Sequence, residues 1–439
     1  MSAGAAARSW STKAVPRPRY RGSLGNDPIG RRKPSRDRSP SRRSMSIRVL
    51  HSFPHRIGAG RICTTAWFEV AGAAAAGGKV TAVPTAVARP LPAGVPVQPT
   101  LARGNWRIPY RAFGERTLAI HDRLVARRLP KLADQIDIVH AWPSGALETL
   151  KTARRLGIPT VLERPNAHTR FAYETVARES ERLGVNLPRN HEHAYNAARL
   201  AKEEEEFRLA DRLLCPSEFV VDTFRDQGFS DSSFTRHTYG YDETVYFADP
   251  HKPEPDVGLN ALFVGVCAVR KGLHFALEAW LRSPASREGR FRIAGEFVPA
   301  YQASLADMLA HPSVEVLGHS NDVPALMRES DMLLLPSIEE GFGLVVVEAM
   351  ASGCIPLISE ACTEVPEHGR TGFRHAVGDV DALTEQITVL HEDRALLAAL
   401  RASCLDAAPS HTWWKAGARL VAAYEEVVSE LSGATRAAA

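Results

Sequence analysis

DMLLLPSIEEGFGLVVVEAMASG, residues 331–353, joins three signals in one run. DMLLLPS has the apolar continuity of a buried strand, IEEGFG is a loop with two glycines, and LVVVEAMAS reads as a helix starting near Gly343. In open parallel sheets, ligands bind beyond the carboxyl ends of the strands, where such loops lead into helix N-termini whose free N–H groups suit a phosphate. Gly341 and Gly343 would let a ligand approach the backbone. Two carboxylates flank the apolar run: Glu340 on the loop and Glu348 just over one turn into the helix. A glutamate among valines and a methionine loses solvation worth several kcal/mol unless something pairs with it, and one bound molecule could reach both.

The same strand-and-helix alternation extends in both directions. SIRVLHSF after Met45, KVTAVPT, DIVHAW, PTVLER and DRLLCPS read as buried strands of one parallel sheet. DPHKPEPDVG, residues 249–258, has the composition of a linker, and NALFVGV, FRIAGE, VEVLG, DMLLLPS and CIPLIS begin a second alternation beyond it. The expected fold is α/β, with two tandem Rossmann-like, doubly wound domains at 45–250 and 251–408 and a cleft between them. HTWWKAGARLVAAYEEVVSEL predicts a long amphipathic helix within 409–439 that packs back on the protein.

The 439 residues exceed one ordinary core, and the formal charge of +4 is uneven. Residues 1–44 hold 12 Lys or Arg against Asp27 and Asp37, a balance of +10, whereas the remainder is −6 and has no nucleic-acid signature. The Arg-, Ser- and Pro-rich tail reads as disordered, or as upstream of a true start at Met45. Six cysteines without a C-x-x-C pair suggest neither a zinc knuckle nor a disulfide framework, and a reducing, cytoplasmic setting is expected. No window offers a membrane span.

Residues 340–356 carry an E-G-F-G-L-x-x-x-E-A-M-A-x-G-x-x-P pattern, and the chain here resembles the family 4 retaining glycosyltransferases, which have the GT-B fold of two Rossmann domains. The resemblance extends through PSEFVVDTF (216–224), YGYDETVYF (239–247), FVGVCAVRKG (263–272) and TGF (371–373), and leaves out residues 1–44. It implies transfer of a sugar from a UDP-, GDP- or ADP-sugar to a hydroxyl acceptor (glycan, glycolipid or small molecule) held mainly by the N-terminal domain, with no metal. Carried over residue by residue, it places Glu340 against the transferred sugar and the Gly341, Phe342 and Gly343 backbone, with Leu344, along the sugar and diphosphate. Glu348 would hold the ribose. Lys271 matches a phosphate-binding lysine, while Val266 stands where the family has an arginine, leaving Arg270 as a substitute cation. Gly58 and Gly60 in HRIGAGR match a glycine loop after the first strand, and His168 in LERPNAHTR matches a histidine near the reaction centre, with Asn166 as an alternative contact. Two rivals share the architecture: a nucleotide-sugar epimerase or hydrolase, and a non-catalytic sensor.

Other residues read as structural. Asp379 and Asp381 suit a helix start, Glu339 and the EEEE run at 203–206 suit solvated positions, HEHAY and HEDRA lack the second histidine of a zinc-protease helix, and His140 suits the interior. Residues 103–131 contain eight Lys or Arg with interleaved aromatics, a pattern compatible with a solvated helix or with peripheral contact to anionic lipid.

Overall fold

The structure, a computed structural model, describes residues 46–103, 106–107, 114, 116–188, 190–250 and 258–438. The tail expected at 1–44, the middle of the linker expected at 249–258 and residues 104–105, 108–113 and 115 of the basic stretch 103–131 lie outside them.

Two six-stranded sheets, parallel throughout, organise the unit Ser46–Ala439. The first takes β1 (Arg48–Ile57), β2 (Lys79–Val87), β5 (Ile138–Ala141), β6 (Thr160–Glu163), β7 (Arg212–Cys215) and β8 (Phe234–Arg236) in the order β2-β1-β5-β6-β7-β8, while β3 (Ala102–Arg103) and β4 (Trp106–Arg107) form a small antiparallel pair. The second takes β9 (Asn260–Val264), β10 (Arg290–Ala294), β11 (Val314–Gly318), β12 (Met332–Leu335), β13 (Ile355–Ser359) and β14 (Phe373–His375) in the order β11-β10-β9-β12-β13-β14. Helices cover both faces of a parallel sheet, so its strands are apolar along their whole length rather than alternating. MLLL of β12 and IPLIS of β13 are buried at every residue.

The order of the second sheet reverses between β9 and β12, which makes the loops 265–272 and 336–343 its switch point. In the first sheet the reversal falls between β1 and β5, at Gly58–Gly60 and Trp142–Gly145. Beyond β2 an extended segment continues the first sheet, with Ala82 bridging Val97 in parallel and donating to the Pro96 carbonyl at 2.9 Å. Pro92, Pro96 and Pro99 cannot donate to a ladder, which keeps that edge from extending.

The C-terminal helix Trp413–Ala438 returns to the first sheet. Trp413, Ala416, Leu420, Ala423, Tyr424 and Val427 recur at helical spacing and are all buried. Trp413 stacks on Phe68 of helix Ile62–Ala75 at 5.0 Å and 2°. The helices cross where both lack a side chain: a Cβ on Gly417 would stand 2.2 Å from the Gly72 backbone. Gly417→Val should therefore destabilise the protein by about 1–3 kcal/mol through overpacking, measured as a lower urea midpoint; an unchanged midpoint would mean the crossing is loose.

Candidate functional site

The switch loops of the second sheet are locked together before any ligand is considered. Gly272 adopts φ +66 and a Cβ there would fall 1.9 Å from the Pro336 carbonyl, while Ile338 donates to the Arg270 carbonyl at 2.8 Å. That contact sets Arg270 and Lys271 beside Glu339 and Glu340. Lys271 Nζ pairs with Glu340, and Arg270 Nη1 lies 3.3 Å from Glu339 Oε2 and 3.7 Å from Glu340 Oε2. Burial opposes ionisation of Glu340, but Lys271 and then Arg270 outweigh it and lower its pKa. Val266 is an exposed apolar side chain, so Arg270 is the second cation of the loop.

Glu339, expected to be solvated, is fully buried. It accepts from the Ala167 N–H at 3.3 Å, lies 3.3 Å from His193 Nε2 and takes Arg270 from the other side, so it joins the two halves of the protein. Burial alone would raise its pKa; Arg270, with His193, holds it at about 2. Glu339 reads as loop polarity in sequence because its partners, more than sixty residues away, cannot be seen there.

Gly341 also serves this seam. A Cβ on it would stand 1.5 Å from the Pro165 carbonyl, and its own carbonyl accepts from Ser217 Oγ at 2.5 Å. The space expected for a ligand at this glycine is thus filled by the N-terminal half. The Phe342 side chain is buried against Tyr239 at 5.5 Å, in a core shared with Val347, Trp413 and residues of the first sheet. Gly343 has φ +74 and caps the helix Leu344–Ala351, whose first residue Leu344 is half-buried. Glu348 is half-buried too, and its protein partner is the Tyr246 hydroxyl from the segment 239–247. Burial pushes its carboxyl up to about 7 against that hydrogen bond.

In the N-terminal half, Gly58 and Gly60 take φ +78 and +95 in the turn after β1, the left-handed region that glycine tolerates. His168 is placed differently from the expectation. Its ring caps the helix Thr169–Arg182, accepting from Arg170 N at 3.2 Å, and is packed among Phe207, Phe224 and Phe229. Burial lowers its pKa to about 3, and it does not line the neighbouring cavity. Asn166 does, with Trp142, Arg164, His193 and Glu339, around about 700 Å³ of open space. Within the EEEE run, Glu203 and Glu206 are buried: Glu206 accepts from Ser144 N and Ala146 N at 2.7 and 3.0 Å, capping the helix Leu147–Leu156. Their i, i+3 spacing beside Phe207 was the available signal.

Two buried groups could hold a metal by geometry, His51 with Glu69 and His140, and Glu69 with Glu163 and His237. They come from separate strands and a helix, so no sequence spacing announces them. Part of their bonding is met inside the protein: His51 Nε2 lies 3.3 Å from Glu69, His140 Nε2 3.2 Å and His237 Nε2 3.1 Å from Glu163, Tyr239 donates to Glu163 at 2.6 Å, and His140 Nδ1 meets the Tyr424 hydroxyl at 2.7 Å, while His51 Nδ1 and Glu69 Oε1 are buried without a hydrogen-bond partner. Asp379 caps the helix Val380–Glu392 through Ala382 N at 2.9 Å, as its position predicts. Helix Arg116–Leu132 turns Leu118, Val125 and Leu129 inward, and its Asp122 accepts from Glu148 N and Thr149 N.

A family described as Glycosyl transferases group 1 matches residues 258–393, and Glycosyltransferase Family 4 matches 67–237, together more than half of the 439 residues. The chain belongs to these glycosyltransferases. N-acetyl-alpha-D-glucosaminyl L-malate synthase of Bacillus anthracis is 42% identical over 82 residues, 18% of this chain and 22% of that protein. The chain spans less than half the length of the curated relatives it matches. Sucrose-phosphate synthase of Thermosynechococcus elongatus superposes at TM-score 0.65 with 16% identity, covering 88% of this chain and 100% of that one. HepE of Anabaena, solved in complex with UDP, does so at 0.58 and 17% identity, covering 89% and 100%. These likenesses establish the GT-B fold.

Glu339→Gln should lower stability at pH 7 by about 3 kcal/mol, because Arg270 loses its buried partner. A depressed carboxylate stabilises above its ordinary value of 4.5 and loses that contribution as pH falls towards about 2, so the gap to the parent protein should close over that range. Urea midpoints at several pH values check this; equal midpoints at pH 7 would contradict it.

Proposed function

We propose that the protein is a retaining glycosyltransferase that moves a sugar from a nucleotide-diphosphate sugar, with UDP, GDP or ADP as the nucleotide, to a hydroxyl acceptor. The observation that carries the reading is the pairing of Lys271 and Arg270 with Glu340 at the switch point, next to Glu339, which lines the cavity of the N-terminal half. Two cations within reach of a helix N-terminus suit a diphosphate. The incoming phosphate would take Lys271 from Glu340 and free that carboxylate for the sugar. A leaving diphosphate gains charge in the transition state, so a fixed cation stabilises it more than it stabilises bound donor. The acceptor hydroxyl would attack from the face the nucleotide leaves, and no protein nucleophile is required. Glu348, with Tyr246 beside it, would hold the ribose hydroxyls. Metal is not needed, because Lys271, Arg270 and the helix end meet the phosphate charge. An epimerase or hydrolase would turn over without acceptor, and a sensor would never turn over.

Lys271→Ala should slow the chemical step by about 3 kcal/mol of barrier, read as a fall in kcat in a natively folded variant; an unchanged kcat removes Lys271 from the catalytic set.

The two glutamates should separate kinetically. Glu348 touches a part of the donor that hardly changes, so Glu348→Gln should mainly raise donor KM, whereas Glu340→Gln should lower kcat and kcat/KM together. The Glu348 carboxyl is raised to about 7, and its ionised form is the better acceptor for hydroxyls. Donor KM should therefore fall as pH rises through about 7 in the parent protein and stay flat in Glu348→Gln. The reverse kinetic pattern would exchange the two roles.

A further inference from the structure

The cavity of the N-terminal half holds more positive charge than its own carboxylates answer. Three glutamates line it, and all are engaged. Glu203 takes Arg199 Nε at 2.9 Å, Ser144 Oγ at 2.5 Å and Thr169 Oγ1; Glu339 takes Arg270 and His193; Glu192 lies 3.8 Å from Arg270 and 3.6 Å from His193.

Arg164 and Lys202 line the cavity and make no ion pair with a carboxylate among the described residues, although Glu206 lies near enough to act on both. Arg164 is 3% exposed, its guanidinium lies 4.3 Å over the Phe207 ring, it gives one hydrogen bond to the Ala167 carbonyl at 2.9 Å, and its Nε is buried without a partner. Glu203 is near enough for Arg164 to feel, but its oxygens are taken by other donors. Lys202, half-buried on the helix Ala197–Leu209, donates one hydrogen bond to the Ser144 carbonyl at 2.7 Å. Ser144 is held at φ +64, a costly backbone for a residue with a side chain. Arg116 adds a further cation at the rim.

Arg164 has Glu203 and Glu206 in its field but no carboxylate in direct contact and an N–H left without a partner, so an anion entering the cavity would meet a hydrogen-bonding need the protein leaves open. We infer that the acceptor carries an anionic group, a carboxylate or a phosphate, besides the hydroxyl that receives the sugar, and that Arg164 and Lys202 seat it. This rests on the cavity being the acceptor side of the site proposed above. A guanidinium offers two parallel N–H bonds and the ammonium a third, which fits either anion. Glu339 at the edge of the same cavity puts the anion's far end towards Glu340 and Lys271, where the sugar would be transferred.

The test titrates the full-length protein, at fixed ionic strength and with nucleoside diphosphate present, with glycerol 3-phosphate, glycerate and glycerol, following heat and melting temperature. Binding of either anion but not of glycerol is expected, and which one binds distinguishes phosphate from carboxylate. Lys202→Gln should weaken that anion about tenfold, the effect of losing one charge-assisted hydrogen bond. It should leave nucleoside diphosphate affinity unchanged. Arg164→Gln probes the same site, but its burial risks misfolding, so Lys202→Gln decides. The inference is overturned if glycerol binds as well as the anions, if no anion binds, or if Lys202→Gln leaves anion affinity intact. Nucleoside diphosphate binding measured alongside separates this failure from failure of the donor site itself.

Discussion

The buried carboxylate of Glu339 is the constraint on which the geometry of this site depends. It takes a backbone N–H and a histidine from one half of the protein and an arginine from the other. An ionised carboxylate with no exposure is tolerated only when its lone pairs are filled, so those partners must be present together. Their assembly fixes the loop 336–343, and with it Glu340 against Lys271. Gly341 completes the seam by letting the Pro165 carbonyl occupy the place of a side chain.

Function then follows from where the seam lies. The loops that meet there are the switch-point loops of the second sheet, and the open space beside them belongs to the first. Lys271 and Arg270 stand neutralised by Glu340 and Glu339, so an anion entering there must compete for cations already in use. Such competition couples binding to rearrangement of the loop that joins the two halves. The C-terminal helix adds a second, apolar tie: Trp413 and Tyr424 share a core with Phe342 and Val347.

Much of the fold was legible because parallel strands covered on both faces are written as unbroken apolar runs. β5, β6, β7, β9, β10, β12 and β13 all fall where those runs lie. β8 and β14, three residues each, are too short to show a run. At the candidate site, the motif spacing singled out Glu340, Glu348 and Lys271, which sit on local strand-loop-helix units. What it could not show was contact over distance. Glu339, Glu203 and Glu206 read as solvated charges, His168 as a reactive-site histidine, and the His51, Glu69, His140, Glu163 and His237 cluster did not show at all. Each has partners from other strands or helices, which only the folded chain supplies.

Binding of UDP, GDP and ADP to the full-length protein, followed by thermal shift and calorimetry without added metal, tests the donor site most directly. A ligand at 100 times its dissociation constant stabilises the folded state by about 2.7 kcal/mol, enough to move the melting temperature measurably. A donor site at Lys271, Arg270 and the Gly343 helix end requires that one of the three nucleotides raise the melting temperature and that Lys271→Ala weaken the effect. No shift with any of the three, or a shift that survives Lys271→Ala undiminished, would contradict it.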